Sequence, residues 1–291
     1  MDHGELTALT SGGRAALARG PVALIFAEDG AELGRTVTHH LGLGFCSLVL
    51  FVPPGLAIPD EAARPEVTTV RYPTMAEGAV PAAVNAVIDA APPGTWLYWG
   101  YNAEFLFYPF CDSRSVAEML AFHAEERRDA MVAFVIDLYA PNLAAAPDGV
   151  SVAEAHLDRT GYHALDRKDP GNSWKAKERQ FDFHGGLRWR FEEHVPHERR
   201  RIDRVALFRA RRGLRLRPDA TLTDEEMNTY ACPWHNNLTA AVCSFRAARA
   251  LRAIPGSREA IGSFVWPNSV RFEWDPQQLL DLGLMEAGQW F

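Results

Sequence analysis

The sequence predicts an α/β protein built on a mainly parallel sheet with helices on both faces. Apolar runs of strand length recur through the first half, among them PVALIFAED, FCSLVLFVPPG and AMVAFVIDLYA. Their apolar character is continuous rather than alternating, as strands covered on both faces require. Helix-like segments separate them, which is what parallel crossovers need.

Taken in order, PVALIFAED reads as a first strand ending in acids, and GAELGRTVTHHLGLG as a helix closed by Gly42 or Gly44. FCSLVLFVPPG is a second strand, stopped by Pro53 and Pro54, which cannot donate to a ladder. EVTTVRYP makes a third, and MAEGAVPAAVNAVIDA a helix blemished by Pro81. TWLYWGYNAEFLF reads as a fourth strand, SVAEMLAFHAEERRD as a helix and AMVAFVIDLYA as a fifth strand. Open α/β sheets bind ligands beyond the carboxyl ends of their strands. That rule singles out Glu28 and Asp29, Asn102 to Glu104, and Asp137.

Beyond residue 140 the texture changes. RKDPGNSWKAKERQ is polar and expected to be mobile, GGLRWRF and RVALFRA read as short strands, and NLTAAVCSFRAARALRAI reads as one helix capped by Asn236 or Asn237. A short amphipathic helix and an aromatic tail end the chain in DPQQLLDLGLMEAGQWF. The expected organisation is an extension over 1–20, an α/β half over 21–175 and a C-terminal half over 176–291, the halves being continuous.

Composition narrows the function classes. The 291 residues supply ample core, and a net charge of −7 argues against general nucleic-acid binding, which relies on excess basic charge. No window approaches the roughly 18 uninterrupted apolar residues of a membrane span. MDHGELTALTSGGRAALARG lacks the basic-then-apolar order of a secretion signal, so a cytoplasmic protein is expected. Cys46, Cys111, Cys232 and Cys243 are far apart and form no Cys-x-x-Cys pair, consistent with inert free thiols. Phosphate-binding P-loop, nucleophile-elbow and Gly-x-Gly-x-x-Gly patterns are absent from the sequence.

The order of motifs in the first half resembles the bacterial glycosyltransferase family 2-like proteins. THHLGLGF, with His39 and His40, follows a strand ending in Glu28-Asp29 where that family commonly has Asn-Glu. YNAEF stands where it carries Asp-x-Asp-Glu-Phe: Glu104 and Phe105 match, while Tyr101 and Ala103 replace the aspartates. An acidic position after the second strand falls within FVPPG and is also absent, and GGLRWRF resembles a downstream Gly-Gly-x-Arg-x-Arg element. The resemblance covers residues 20–215 and implies the GT-A fold, a Rossmann-like sheet that binds a nucleotide-sugar donor. It also implies a metal ion, Mg²⁺ or Mn²⁺, held by Glu104 with help from Asn102, and a late His, here His235 between Trp234 and Asn236, completing that site; Glu104 reads equally as a cap of the strand end and His235 as a packed or capping residue.

A departing nucleoside diphosphate needs its charge stabilised by a cation or by fixed basic groups. The stretch RWRFEEHVPHERRRIDRVALFRARRGLRLR, residues 188–217, is strongly basic within an acidic protein. Arg188 and Arg190, two apart on an expected strand, would share a face and fork onto phosphate oxygens, with Gly185 and Gly186 allowing close approach. The same stretch also reads as a solvated basic face or a contact for anionic lipid headgroups. Asp137 is the candidate general base for an acceptor hydroxyl, with Glu225 and Glu226 as alternatives. His39 and His40 adjoin each other and lack the i, i+4 spacing of a metal pair, so they read as packing and surface residues.

Three functions follow as expectations: a glycosyltransferase acting on an envelope glycan or small-molecule acceptor, a non-catalytic nucleotide-sugar or glycan binder, and a peripheral protein touching anionic surfaces of the inner membrane through its arginines.

Overall fold

The structure is a computed structural model and describes residues 4–12, 14–233 and 235–290. Its strands are β1 (Val22–Phe26), β2 (Ser47–Val52), β3 (Val67–Arg71), β4 (Trp96–Tyr101), β5 (Glu104–Phe107) and β6 (Ala130–Asp137). They continue with β7 (His156–Asp158), β8 (His163–Asp169), β9 (Lys175–His184), β10 (Asp203–Arg209), β11 (Ala240–Ser244) and β12 (Ser269–Arg271). The helices are α1 (Gly4–Ser11), α2 (Arg14–Leu17), α3 (Leu33–Gly42), α4 (Ala79–Ala90), α5 (Val116–Glu125), α6 (Gly186–Arg190), α7 (Arg246–Ala253), α8 (Pro255–Ala260) and α9 (Pro276–Asp281).

The architecture is α/β, with a sheet of eight strands in the order β3-β2-β1-β4-β10-β6-β11-β5 and two small two-stranded sheets. The large sheet is mixed, which corrects the expectation of a mainly parallel one. Strand β10 runs antiparallel to β4, pairing Leu207 with Tyr98 and Arg209 with Trp96. A strand's direction is fixed by the end of the sheet at which its connection arrives, and RVALFRA carries no trace of that in its composition.

The chain divides into two compact units interleaved in sequence: 1–105, 113–132 and 205–228 form the first, and 106–112, 133–204 and 229–291 the second. In the first unit β1, β2, β3 and β4 run parallel, with Phe26 level with Phe51 on one side and Tyr101 on the other. All five residues of β1 and all six of β2 are buried, which is why their sequences read as unbroken apolar runs. Helix α3 buries Leu33, Thr36, Val37 and His40 along one stripe. Pro81 falls in the first turn of α4, where its missing N–H is one of the groups a helix cannot pair anyway, so it is no blemish. Helix α5 opens on a capping box, in which the Ser115 hydroxyl accepts from the Glu118 N–H and the Glu118 carboxylate from the Ser115 N–H.

The second unit departs most from expectation. NLTAAVCSFRAARALRAI is not one helix but strand β11 followed by α7. All five residues of β11 are buried beside β6, with Ala240 level with Ala133 and Ser244 with Asp137, and this pairing overrides the helix preference of alanine. RKDPGNSWKAKERQ is part of the antiparallel β8–β9 hairpin rather than a mobile stretch. GGLRWRF forms α6 rather than a strand, for a reason that belongs to the site below. No helix among the described residues is long and apolar enough to cross a membrane. The four cysteines are free thiols, with Cys243 buried and Cys46 exposed.

Candidate functional site

In the first unit, the single strand expected over TWLYWGYNAEFLF is two, β4 and β5, with the chain turning at Asn102 and Ala103. Ala103 adopts a left-handed conformation (φ 55°) and donates its N–H to the Thr36 hydroxyl of α3 at 2.9 Å. The position of the second aspartate in the resemblance therefore holds a buried methyl group with no oxygen to offer.

Asn102 is the tie at this end of the sheet, and it is fully buried. Its Oδ1 accepts the Glu28 N–H at 2.8 Å, while its Nδ2 donates to Asp29 Oδ1 and to the Ala31 carbonyl, both at 2.9 Å. Asp29 Oδ1 also accepts the Ala31 N–H at 2.8 Å. One acceptor and two donors on a single planar group are what an amide supplies and a carboxylate does not. The loops after β1 and β4 are thereby fastened together, with the Asp29 carboxylate at the exposed rim and Glu28 half-buried. Three of the expected site residues, Glu28, Asp29 and Asn102, are thus brought together. Thr36, which holds the Ala103 turn, carried no signal in the sequence.

Glu104 is buried, and its Oε2 accepts the Tyr101 N–H at 3.0 Å, closing the β4–β5 turn from within. His235, the other expected metal ligand, belongs to the second unit, and its Nδ1 donates to the carbonyl of Asn236 at 2.7 Å. Its neighbour Trp234 lies outside the described residues. Among the described residues no group of three or more His, Cys, Asp or Glu side chains is arranged to hold a metal ion. Glu104 and His235, the donors assigned from the resemblance, belong to no such group. His40 is a packed residue, its Nδ1 donating to the Thr36 carbonyl at 2.8 Å and its ring stacked on Tyr98.

The second unit holds Asp137, Arg188 and Arg190 in a buried network. Helix α6 exists because Gly186 turns the chain at φ 63° and the Asp137 carboxylate then accepts the Arg188 N–H at 3.3 Å, capping the helix from outside. Gly186 packs so closely on Asp137 that a Cβ there would lie 2.9 Å from Oδ2. In a helix, residues two apart point about 200° away from each other. Arg188 accordingly turns its Nε to Asp137 Oδ1 at 3.2 Å, and Arg190 turns its Nε to Asp158 Oδ2 at 2.9 Å. They do not share a face, which corrects the strand expectation. Both contacts are ion pairs.

Asp158 is the hub of this network. Its Oδ1 accepts the Tyr139 hydroxyl at 2.5 Å and the Trp266 indole N–H at 2.7 Å. Arg190 lies over the rings of Trp266, Phe191 and Tyr139, at 5.0, 5.2 and 5.6 Å from their centroids. Burial raises the pKa of both Asp137 and Asp158 from the ordinary value, opposed at Asp137 by Arg188 and at Asp158 by the Tyr139 hydrogen bond and Arg190. Burial and the adjoining Asp158 carboxylate push the Tyr139 hydroxyl far above its ordinary value, so it stays a donor.

Six further arginines of the basic stretch are matched with acids inside their own unit. Arg200 meets Glu192 and Arg201 meets Asp182 in the second unit, while Arg209 meets Asp129, Arg211 meets Asp224 and Arg215 meets Asp89 in the first. The alternative bases are engaged likewise: Glu225 with Arg217 at 2.8 Å and Glu226 with Arg128 at 3.0 Å. The charge of these arginines was legible in the sequence but not their partners, which lie between 8 and 126 residues away. No protein-family model and no curated protein matches this chain.

Proposed function

We propose that this chain is a glycosyltransferase that binds the nucleotide of a nucleotide-sugar donor where β1 and β4 end, and passes the sugar to a glycan or small-molecule acceptor. The observation that supports this reading is the parallel order β3-β2-β1-β4, in which the chain leaves β1 toward β2 on one side while β4 lies on the other. Loops that depart in opposite directions leave a crevice between them, and nucleotides bind at such switch points in Rossmann-like folds, of which the GT-A fold is one. The rim carries Glu28 and Asp29, and carboxylates there accept hydrogen bonds from ribose hydroxyls and base N–H groups. Asn102 holds the two loops at fixed separation, so little ordering cost remains for the ligand to meet. Two residues after Ala31, helix α3 begins at Leu33, and a helix N-terminal turn is a favourable environment for phosphate charge. Asp137, at the end of β6, is buried and caps α6.

The test is calorimetric titration with UDP, GDP and their sugar conjugates, with and without Mn²⁺, followed by donor hydrolysis. At least one nucleoside diphosphate is expected to bind. Glu28→Ala is expected to weaken it by about 10- to 100-fold, the loss of one hydrogen bond to a charged group. Because Glu28 meets Asn102 through its backbone N–H, that substitution leaves the loop tie in place. Absence of binding to every nucleoside diphosphate would sink the proposal. A second reading, a nucleotide-sugar binder without turnover, is favoured by Tyr101 and Ala103 at the two expected aspartate positions. Binding without donor hydrolysis is its signature.

A further inference from the structure

The chain contains 27 arginines by subtraction of its lysines from the 30 basic residues, and its only lysines are Lys168, Lys175 and Lys177. All three lie at the far end of the β8–β9 hairpin, where Lys168 pairs with Ala176 and Asp169 with Lys175. Between the strands the chain turns through Ser173 (φ 53°) and Trp174 (φ 59°), and the Trp174 N–H donates to the Asp169 carbonyl at 2.9 Å. Trp174 is 68% exposed and Leu165, on β8, is 57% exposed. The large indole is held out at the tip in a left-handed conformation that favours glycine or asparagine. Core packing does not account for it.

We propose that the β8–β9 tip is an interfacial anchor for an anionic membrane surface, with Trp174 entering the headgroup layer and the lysines meeting lipid phosphates. An indole partitions to that layer because its ring is apolar and its N–H still finds a partner there. A lysine has a flexible apolar stem that lies along the interface while its ammonium reaches a phosphate. The arginines nearby are turned inward instead: Arg167 meets Asp182 at 2.7 Å and Asp203 at 2.6 Å. The tip's acids are also held within the hairpin, Asp166 by Lys168 at 3.8 Å, Asp169 by the Gly171 N–H at 3.0 Å and Glu178 by Arg179 at 3.5 Å. A stable protein partner needs a patch of about 800 Å² per side, far more than one turn and two strand ends provide, whereas a lipid surface adapts to a single protruding tip. The inference is independent of the sugar-transfer reading, since it uses none of the residues at the β1 and β4 ends.

Co-sedimentation with vesicles tests it. The full chain is expected to bind phosphatidylcholine vesicles that contain phosphatidylglycerol, to release at high salt, and to ignore vesicles of phosphatidylcholine alone. Replacing all three lysines with glutamine is expected to cut binding about 100-fold, roughly fivefold per charge, and Trp174→Ser about tenfold. Replacing the lysines with arginine is expected to keep most of the binding. Lipids carrying a bromine quencher are expected to dim the wild-type fluorescence more than that of Trp174→Ser. Unchanged thermal unfolding of the variants identifies a surface effect, since Trp174, Lys168 and Lys175 are exposed and Lys177 is half-buried. Equal affinity of the variants and the wild type, indifference to phosphatidylglycerol, or no vesicle binding at all overturns the proposal.

Discussion

Asp158→Ala is expected to destabilise the protein by about 3–5 kcal/mol, the range for removing one partner of a buried ion pair. The substitution removes the acceptor of the Tyr139 hydroxyl and of the Trp266 indole, and strips Arg190 of its counter-ion. The Arg190 guanidinium, with a side chain 10% exposed, has no route to bulk water that would compensate. Its remaining bond to the Phe264 carbonyl neutralises no charge. Asp158→Asn keeps an oxygen for Tyr139 and Trp266, so its loss is expected to be smaller, about 2 kcal/mol. Pairing Asp158→Ala with Arg190→Met is expected to recover part of the deficit, because a buried pair replaced by apolar groups costs less than a pair broken in half. Urea unfolding of the four proteins measures all of this. A single Asp158→Ala variant within 1 kcal/mol of the wild type would show that the network does not hold this unit together.

The second large effect is an acid sensitivity carried by His123. Its ring is fully buried on α5, and because a carbonyl only accepts, Nε2 carries the hydrogen that meets the Ala130 carbonyl at 2.8 Å. Burial is the main cause that brings its pKa down from 6.5 to about 4, with the hydrogen bond to Ala130 opposing. In the unfolded chain the ring regains its ordinary affinity for a proton. Between pH 6.5 and 4 the unfolded state therefore binds more protons than the folded one, and stability falls as pH falls through that window. The full contribution is present above pH 6.5, and its loss amounts to about 3 kcal/mol by the time both states are protonated. Asp137 and Asp158 act in the opposite sense. Their raised folded pKa values mean that acidification through their range favours the fold. Comparison of the wild type with His123→Gln isolates the histidine, since the glutamine has a donor for the same carbonyl and does not titrate. The unfolding free energy of the wild type is expected to fall relative to that of His123→Gln as pH drops from 7 to 4, and to hold a constant offset from it above that window. A pH-independent difference would place the charged imidazolium comfortably inside the fold and refute the burial argument.

The legible parts of this protein were those in which one residue's chemistry settles its surroundings. Unbroken apolar runs announced β1, β2 and β6, since a strand covered on both faces admits little else. The rule of strand carboxyl ends led to Glu28, Asp29 and Asn102, and the amide of Asn102 is the group that fastens two loops. Asp137 was likewise found at the end of β6, but its neighbourhood was not foreseen. A carboxylate in a sequence carries no mark of whether it will face a substrate or cap a helix that starts at residue 186.

What tertiary structure alone decided has a common cause: each case depends on a partner distant in the chain. The break of WLYWGYNAEFLF into two strands rests on Thr36 receiving the Ala103 N–H. The helical form of GLRWR rests on Asp137, and the separation of Arg188 from Arg190 follows from that helix. The direction of β10 rests on where its connection returns, and the quieting of the arginine-rich stretch on acids up to 126 residues away, as for Arg215 and Asp89. Local pattern reports how strongly a segment wants to be buried and with what period. Which group meets it there is set by chain topology, and charge, strand direction and the role of a carboxylate are all properties of that meeting.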